Sequence, residues 1–523
     1  MCSEKSDSCF TTICTLKGAV YFSDITKMRT NILIGGKAGQ GPNIVAQLVG
    51  EALVSNGYYV FMSRDYESII RGGHNFNVLT FSSEKVFSND SKIDVLVCLD
   101  DNTKKIHRKN LNKSGILLKG SSENMYYAGR IFKILGLKFE LLEQELKKLR
   151  NFDENIMQAK KGYNEQKDTL KIPATQKKEN YFYNGSQGIA LGSIKSGLDL
   201  YYAYPMTPAT PLLFELAPKQ IENNFLALEL ENEIAVIMAA IGSAATGAKS
   251  MIGTSGGGFD LMTEGLSMSG MAEIPIVACL VSRPGPSTGL ATYTGQGDLQ
   301  LARNCGHGEF FRLVLAPGTP DECQELISQA FYFSQKYKIP AIILSDKHLA
   351  ESFFTLDHEP IITKSEKSTE LGRYNSYEHT ETGEAIEDAE IVRKNVERRL
   401  KKQKEIEKES EKFKTYKIYG NKNSKNIILS YGSTKGAILD AIKDLDCRFF
   451  QILYIEPFSQ KIEQELSKAK KIILVENSAS GMLAFVIAEK IGIKIDNKNK
   501  ILRYDGRPFL SDELKQEIER RLR

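Results

Sequence analysis

The sequence predicts an α/β protein of three domains, each built around a parallel sheet. Three observations carry this expectation. Short apolar runs of strand length alternate with helical stretches along most of the chain. Glycine-rich loops follow several of those runs, as they do at the C-terminal edge of a parallel sheet. Two polar stretches, 157–180 and 366–424, split the alternation into three blocks. At 523 residues the chain is long enough for about three to four domains that each bury a core.

Residues 1–27 are a polar leader of unknown role, with Cys2, Cys9 and Cys14 loosely clustered in it. The first block, 28–156, opens with a strand at Ile32–Ile34 that runs into the loop "GGKAGQG". A helix with Ile44, Leu48 and Ala52 on one face follows, then a second strand after Gly57. That succession predicts a parallel sheet, to which "IDVLVCL" and "SGILLKG" add strands. Gly36, Gly39 and Gly41 are spaced G-x-x-G-x-G and not G-x-G-x-x-G, which argues against a dinucleotide site. Free backbone N–H groups before a helix would still suit a phosphate or a partner's carboxylate. The stretch 157–180 reads as a linker. The second block, 181–365, has expected strands at 200–204, 225–228, 250–253, 276–281, 312–315 and 341–344. The tether 366–424 contains nineteen charged residues among the thirty-one from Glu387 to Lys417, the mark of a solvated helix or flexible connection. The third block, 425–523, has strands in "NIILSYGS", "FFQILYI" and "KIILVEN".

Composition narrows the function classes. A net charge of +4, spread thinly, leaves no basic stripe of the kind that binds nucleic acid. No run of eighteen apolar residues and no signal-peptide pattern is present, so the expectation is a cytoplasmic protein without a membrane partner. Eight cysteines without a Cys-x-x-Cys pair predict neither a disulfide scaffold nor an iron–sulfur cluster on this chain, and Cys98 and Cys279 read as packing residues. No His-rich metal cluster, Walker loop or Ser-His-Asp signature is visible, and the loose cluster of Cys2, Cys9 and Cys14 reads as part of an unstructured leader ahead of a metal site.

Four loops of the second block fall at expected strand ends. In "YPMTPATP" three prolines fix the backbone; the loop is either a rigid turn with Thr210 capping the next helix, or a device presenting Thr207. "SRPGPSTGLAT" repeats the device around Arg283, Ser287, Thr288 and Thr292, and a braced arginine suits a carboxylate better than a surface ion pair would require. "ELENE" places Glu229, Glu231 and Glu233 where strand becomes helix. The small residues after it leave a surface that another backbone can approach. "GTSGGGF" gives a tight turn or a close ligand approach.

Together "YPMTP", the run from Glu231 to Val277, "RPGPSTGLAT" and "GHGEFFRLVLAPGTP" resemble the α subunit of 2-oxoacid:ferredoxin oxidoreductases. The form is the 2-oxoglutarate type with the γ domain fused in front; "GGKAGQG" and "YESIIRGGHNFNVLTFS" are similar to that γ domain. The resemblance implies a γ domain, a pyrimidine-binding domain of a thiamine diphosphate enzyme and a transketolase C-terminal-like domain for the three blocks. It implies thiamine diphosphate shared with a β subunit that carries magnesium and a [4Fe-4S] cluster, in an (αβ)2-type heteromer. Coenzyme A, a 2-oxoacid and ferredoxin are the implied substrates and partner. Glu233 matches the glutamate that hydrogen-bonds the aminopyrimidine, and Tyr204 and Pro205 lie on the cofactor side. Thr207, Arg283 and Thr292 match residues that contact the 2-oxoacid, Thr207 also serving catalysis. Gly36, Gly39, Gly41 and Arg71 are candidates for a partner or coenzyme A loop. Met206, Ala291 and "TYTGQGD" depart from the family pattern beside the substrate residues. Pyruvate or a branched-chain 2-oxoacid is the alternative substrate, a non-catalytic scaffold the alternative role, and a free-standing nucleotide-dependent reductase a third reading.

Overall fold

The computed structural model describes residues 29–67, 73–121, 123–167, 170, 172, 175–176, 180–368 and 374–523. The leader and Arg71 lie outside the described residues.

The first block supplies β1 (Thr30–Lys37), β2 (Tyr59–Tyr66), β3 (His74–Ser82), β4 (Ile93–Cys98) and β5 (Leu111–Leu118). The second supplies β6 (Tyr181–Asn184), β7 (Leu200–Ala203), β8 (Leu226–Glu229), β9 (Ser250–Thr254), β10 (Ile276–Ser282), β11 (Leu313–Leu315), β12 (Pro340–Asp346) and β13 (Phe353–Leu356). The last part supplies β14 (Tyr416–Gly420), β15 (Asn426–Tyr431), β16 (Arg448–Ile452), β17 (Tyr454–Glu456), β18 (Lys471–Glu476) and β19 (Lys500–Leu502). They form three sheets, ordered β5-β4-β1-β3-β2-β13-β6, β17-β11-β12-β10-β9-β7-β8 and β14-β16-β15-β18-β19. Helices cover their faces, so the fold is α/β with three mixed sheets, of which the second and third are mostly parallel and the first joins a parallel half to an antiparallel one.

The first sheet departs from the expected parallel order. β1 and β2 run in the same direction but do not touch, because β3 lies between them, antiparallel to both. Its sequence, "HNFNVLTFS", is polar at its start and gave no strand signal. The polar stretch from Met157 begins as structure, not linker: the helix Phe152–Glu165 runs through it and crosses the helix Asn124–Ile134. A Cβ on Gly129 would lie 1.9 Å from the Ala159 carbonyl oxygen, and one on Gly162 1.9 Å from that of Tyr126. Only glycine permits that approach.

Strands cross block boundaries. β13 and β6, both from the second block, extend the first sheet, with β13 pairing antiparallel to β2. The run "FFQILYI", expected as one strand, breaks at Leu453; β16 stays in the third sheet and β17 pairs with β11 of the second. Within the charged tether a 22-residue helix forms, Ala389–Ser410, and it docks. Its Ile406 is fully buried, while Arg398 and Lys402 pair with Glu273. β14, also placed in the tether by its composition, is the edge strand of the third sheet.

Six of the seven strands of the second sheet, all but β17, run parallel, so the loops after β7, β8, β9 and β10 open along one edge. Cys98 and Cys279 are buried and free, as packing residues should be. Among the described residues no helix is long and apolar enough to cross a membrane, and no cluster of three metal-ligating side chains occurs.

Candidate functional site at the edge of the second sheet

Glu233 is the first residue of the helix Glu233–Ala245, whose N-cap is Asn232, with its side-chain oxygen accepting from the Ala235 N–H at 2.8 Å. Glu229 and Glu231 are exposed, whereas Glu233 is only 4% exposed and its Oε1 is buried without a hydrogen-bond partner. A buried carboxylate oxygen left unpaired costs free energy unless a ligand donates to it. The turn after β9 forms its other wall: a Cβ on Gly258 would lie 2.6 Å from Glu233 Oε1 and 2.3 Å from Thr254 Oγ1.

The same turn leads to the next loop. A Cβ on Gly256 would lie 2.8 and 2.9 Å from the two carboxylate oxygens of Asp298. Asp298 faces Arg283 across the crevice; burial raises the Asp298 pKa and lowers that of Arg283, each effect opposed by the other's charge. Arg283, which follows β10, is 9% exposed, and its Nε is buried without a partner. Its Nη1 donates to the Thr207 carbonyl at 2.5 Å. Among the described residues no carboxylate lies within ion-pair distance of this guanidinium, so the surface ion pair is set aside.

Thr207 thus sits where the β7 loop meets Arg283. Both braced loops contain cis peptide bonds, at Thr207–Pro208 and Gly285–Pro286. Thr210 caps nothing; it is the first residue of the helix Thr210–Leu216, whose N-cap Ala209 offers no side-chain bond. Tyr204 and Pro205 are exposed at the end of β7. Thr292 is buried, and its hydroxyl donates to the Tyr66 carbonyl of the first block at 2.7 Å.

Thr207 also lines a cavity of about 680 Å³ between the first and second blocks, with Asn43, Ile44, Arg64, Tyr66 and Phe214 among its walls. Asn43 and Ile44 are on the first turn of the helix Pro42–Ser55, which the glycine loop precedes. Gly39 (φ 92°) and Gly41 (φ 76°) hold that loop in conformations that favour glycine, and a Cβ on Gly36 would meet Gln40 and Leu99. Gln40 ties the loop by accepting from the Lys37 N–H at 2.7 Å. A chain of contacts joins Glu233 through the Gly256–Gly258 turn and Asp298 to Arg283 and Thr207 along this edge; the glycine loop is joined to Thr207 through Asn43 and Ile44, which share its cavity. Beside the loop, His74 and His107 share a buried Nε2 to Nε2 contact of 2.9 Å, which no sequence spacing announced. Burial lowers the His107 pKa to about 4. Asp298 was also missed as a site residue, although it closes the stretch "TYTGQGD", because that stretch drew notice for its departures from the family pattern and not for its carboxylate.

Outside the crevice, the helix Glu233–Ala245 shows Ile234 and Met238 to solvent, 53% and 44% exposed, with Gly242 one turn further on. They adjoin a cavity of about 450 Å³ with Leu261, Met268 and Met271.

Residues 191–419 match the thiamine diphosphate-binding family of pyruvate flavodoxin/ferredoxin oxidoreductases, and residues 31–123 match the pyruvate ferredoxin/flavodoxin oxidoreductase family. This is an oxidoreductase subunit with a thiamine diphosphate-binding domain. The 2-oxoacid:ferredoxin oxidoreductase subunit alpha of a Sulfolobus species is 30% identical, over 94% of this chain and 96% of that one. The 2-oxoglutarate synthase subunit KorA of Methanocaldococcus jannaschii is 29% identical over 56% of this chain and 87% of its own. The 2-oxoglutarate:ferredoxin oxidoreductase from Magnetococcus marinus, solved with 2-oxoglutarate, coenzyme A and succinyl-CoA bound, shares the fold. Its TM-score is 0.84 at 23% identity, covering 95% of this chain and 100% of that one. The chain belongs to the 2-oxoacid:ferredoxin oxidoreductase family, as an alpha subunit.

The residues present fit the cofactor on this chain's side. The orphaned Glu233 Oε1 is a free acceptor for a cofactor N–H, and the Gly256–Gly258 turn packs directly against Glu233 and Asp298 because it carries no side chains there.

Proposed function

We propose that the complex containing this chain converts 2-oxoglutarate, coenzyme A and oxidised ferredoxin to succinyl-CoA, carbon dioxide and reduced ferredoxin. The observation that carries the substrate side is the buried Arg283 guanidinium, which has no ion-pair partner among the described residues, leaves its Nε unbonded and is pinned to the Thr207 carbonyl. Such a group binds a carboxylate tightly because its desolvation is already met by the fold. The names of the Methanocaldococcus and Magnetococcus relatives support 2-oxoglutarate over pyruvate or a branched-chain acid.

In this reading Glu233, with its unpaired Oε1, would hold the aminopyrimidine of the bound cofactor by accepting a hydrogen bond from it, and the exposed Tyr204–Pro205 loop would lie on the cofactor side. Thiamine diphosphate supplies, when bound, the carbon nucleophile for the 2-oxo group. Arg283 fixes the substrate carboxylate, Thr207 orients the oxo group, and Thr292 holds the substrate loop against the first block. The glycine loop at Gly36, Gly39 and Gly41 faces a partner or coenzyme A. Magnesium and the [4Fe-4S] cluster reside on the β subunit of an (αβ)2-type assembly.

The test is co-expression with the β subunit and a screen of 2-oxoacids for viologen reduction in the presence of coenzyme A. The expected result is fastest reduction with 2-oxoglutarate. Faster turnover of pyruvate or a branched-chain acid overturns the substrate. A complex that retains no thiamine diphosphate and reduces no viologen overturns the catalytic role in favour of a scaffold.

A further inference from the structure

The loop from Arg283 to Asp298 is gripped from outside its own block. The Gln296 N–H donates to the Asn477 carbonyl at 2.7 Å, and the Asn477 N–H donates to Gln296 Oε1 at 2.8 Å. Gln296 Nε2 donates to the Tyr431 carbonyl at 2.9 Å, and the Tyr431 hydroxyl donates to the Gln296 carbonyl at 3.1 Å. Gln296 is buried, so all four bonds are sheltered from water. Two residues earlier, the Thr294 N–H donates to the Gly506 carbonyl at 3.1 Å. The Arg507 guanidinium stacks on the Tyr293 ring, 3.9 Å from its centroid. Asn477 Nδ2 donates to the Arg507 carbonyl at 2.9 Å, which joins the two grips into one unit of the third block.

That unit presses on the root of the loop. A Cβ on Gly506 would lie 3.0 Å from Leu290 Cδ1, 3.2 Å from Tyr293 Cβ and 3.7 Å from Pro284 Cγ. The loop closes on Pro284, where the Leu290 N–H donates to the Pro284 carbonyl at 2.9 Å. Arg283 precedes Pro284, so its backbone is set between this closure and the Thr207 contact.

We propose that Gln296 and Arg507 are positioning residues through which the third block sets the pose of Arg283 toward the 2-oxoacid. The proposal rests on the reading of Arg283 as the carboxylate-binding residue. Loosening the loop spreads the guanidinium over several poses, and substrate affinity falls by the fraction that remains competent. Chemistry on substrate already bound is unaltered.

The αβ complex is prepared with the wild-type chain and with Gln296→Met, Arg507→Ala, Arg507→Lys and Arg283→Ala. For each, kcat and the KM values for 2-oxoglutarate and coenzyme A are measured with viologen as acceptor, beside the melting temperature. Gln296→Met and Arg507→Ala are expected to raise the 2-oxoglutarate KM about tenfold while kcat and the coenzyme A KM stay within about threefold. Arg507→Lys, which keeps a cation over Tyr293, recovers most of the loss. Variants with a lowered melting temperature or kcat but an unmoved 2-oxoglutarate KM show a purely structural clamp and overturn the proposal. If Gln296→Met does not fold, the half-buried Arg507 carries the test by itself. A raised KM in Arg283→Ala without one in the clamp variants sinks the clamp alone. An unchanged KM in Arg283→Ala sinks the reading of Arg283, and the proposal with it.

Discussion

Three glutamates crowd the junction after β8, and burial separates them. Glu229 and Glu231 are exposed and solvated, while Glu233 is withdrawn beneath the Gly256–Gly258 turn with one oxygen unpaired. A carboxylate kept in that state is maintained for something that binds it. Glu233→Gln keeps the shape and removes the acceptor charge, so 2-oxoacid-dependent viologen reduction should fall by about 10²-fold or more while the αβ complex still assembles. Steady-state assay and size-exclusion chromatography of the same preparation check both halves of that statement. Wild-type turnover in the variant would remove Glu233 from the cofactor site.

Elements meet here through glycines. Gly258 has helical backbone angles that alanine could adopt, yet its Cβ would collide with Glu233 and Thr254. Gly258→Ala should therefore displace Glu233 and sharply reduce thiamine diphosphate retention by the complex, while the gain of about 1 kcal/mol in helix propensity offsets part of an overpacking cost of about 1–3 kcal/mol. Cofactor content after gel filtration decides it. Gly162 is the structural counterpart. Alanine there would gain about 1 kcal/mol of helix propensity but would press on backbone at the crossing with the helix Asn124–Ile134. Backbone cannot yield as a side chain can, so Gly162→Ala should destabilise by about 1–3 kcal/mol, read from chemical denaturation, with the crevice chemistry unaffected.

At the scale of the molecule, the three sheets are joined by shared strands and a buried ionic junction. Glu322 is fully buried and accepts from Lys435 at 2.7 Å, Lys417 at 2.9 Å, Gln451 at 2.6 Å and the Gly318 N–H at 2.8 Å. Nearby His358 lies between Asp321 at 3.4 Å and Asp357 at 3.3 Å, bonds that raise its pKa to about 9. A raised histidine pKa contributes stability in full below its unfolded value, near 6.5, and that contribution is lost as pH rises through about 9. The wild-type melting temperature should accordingly fall more between pH 6.5 and 9.5 than that of His358→Ala. Parallel pH curves would exclude His358 from the junction's energetics.

Much of this was legible in the linear chain. The strands of the second sheet follow apolar runs bounded by glycine and proline, because buried parallel strands need apolar side chains on both faces. Their shared direction placed Thr207, Glu233 and Arg283 on one edge before any coordinates. β3 was not legible, since its polar start gives no alternation, and neither was the break at Leu453, where one apolar run serves two sheets. The tether composition concealed Ile406, a single apolar anchor among charges, and the edge strand β14. Gln296 and Arg507 could not be linked from sequence, being 211 positions apart. The sequence alone determined the α/β class, the family resemblance and the candidate residues, because periodicity and braced loops are local properties of the chain. Only the tertiary structure decided which glutamate is buried unpaired, which carbonyl Arg283 holds and how the third block grips its loop, because burial and hydrogen bonding depend on distant segments meeting.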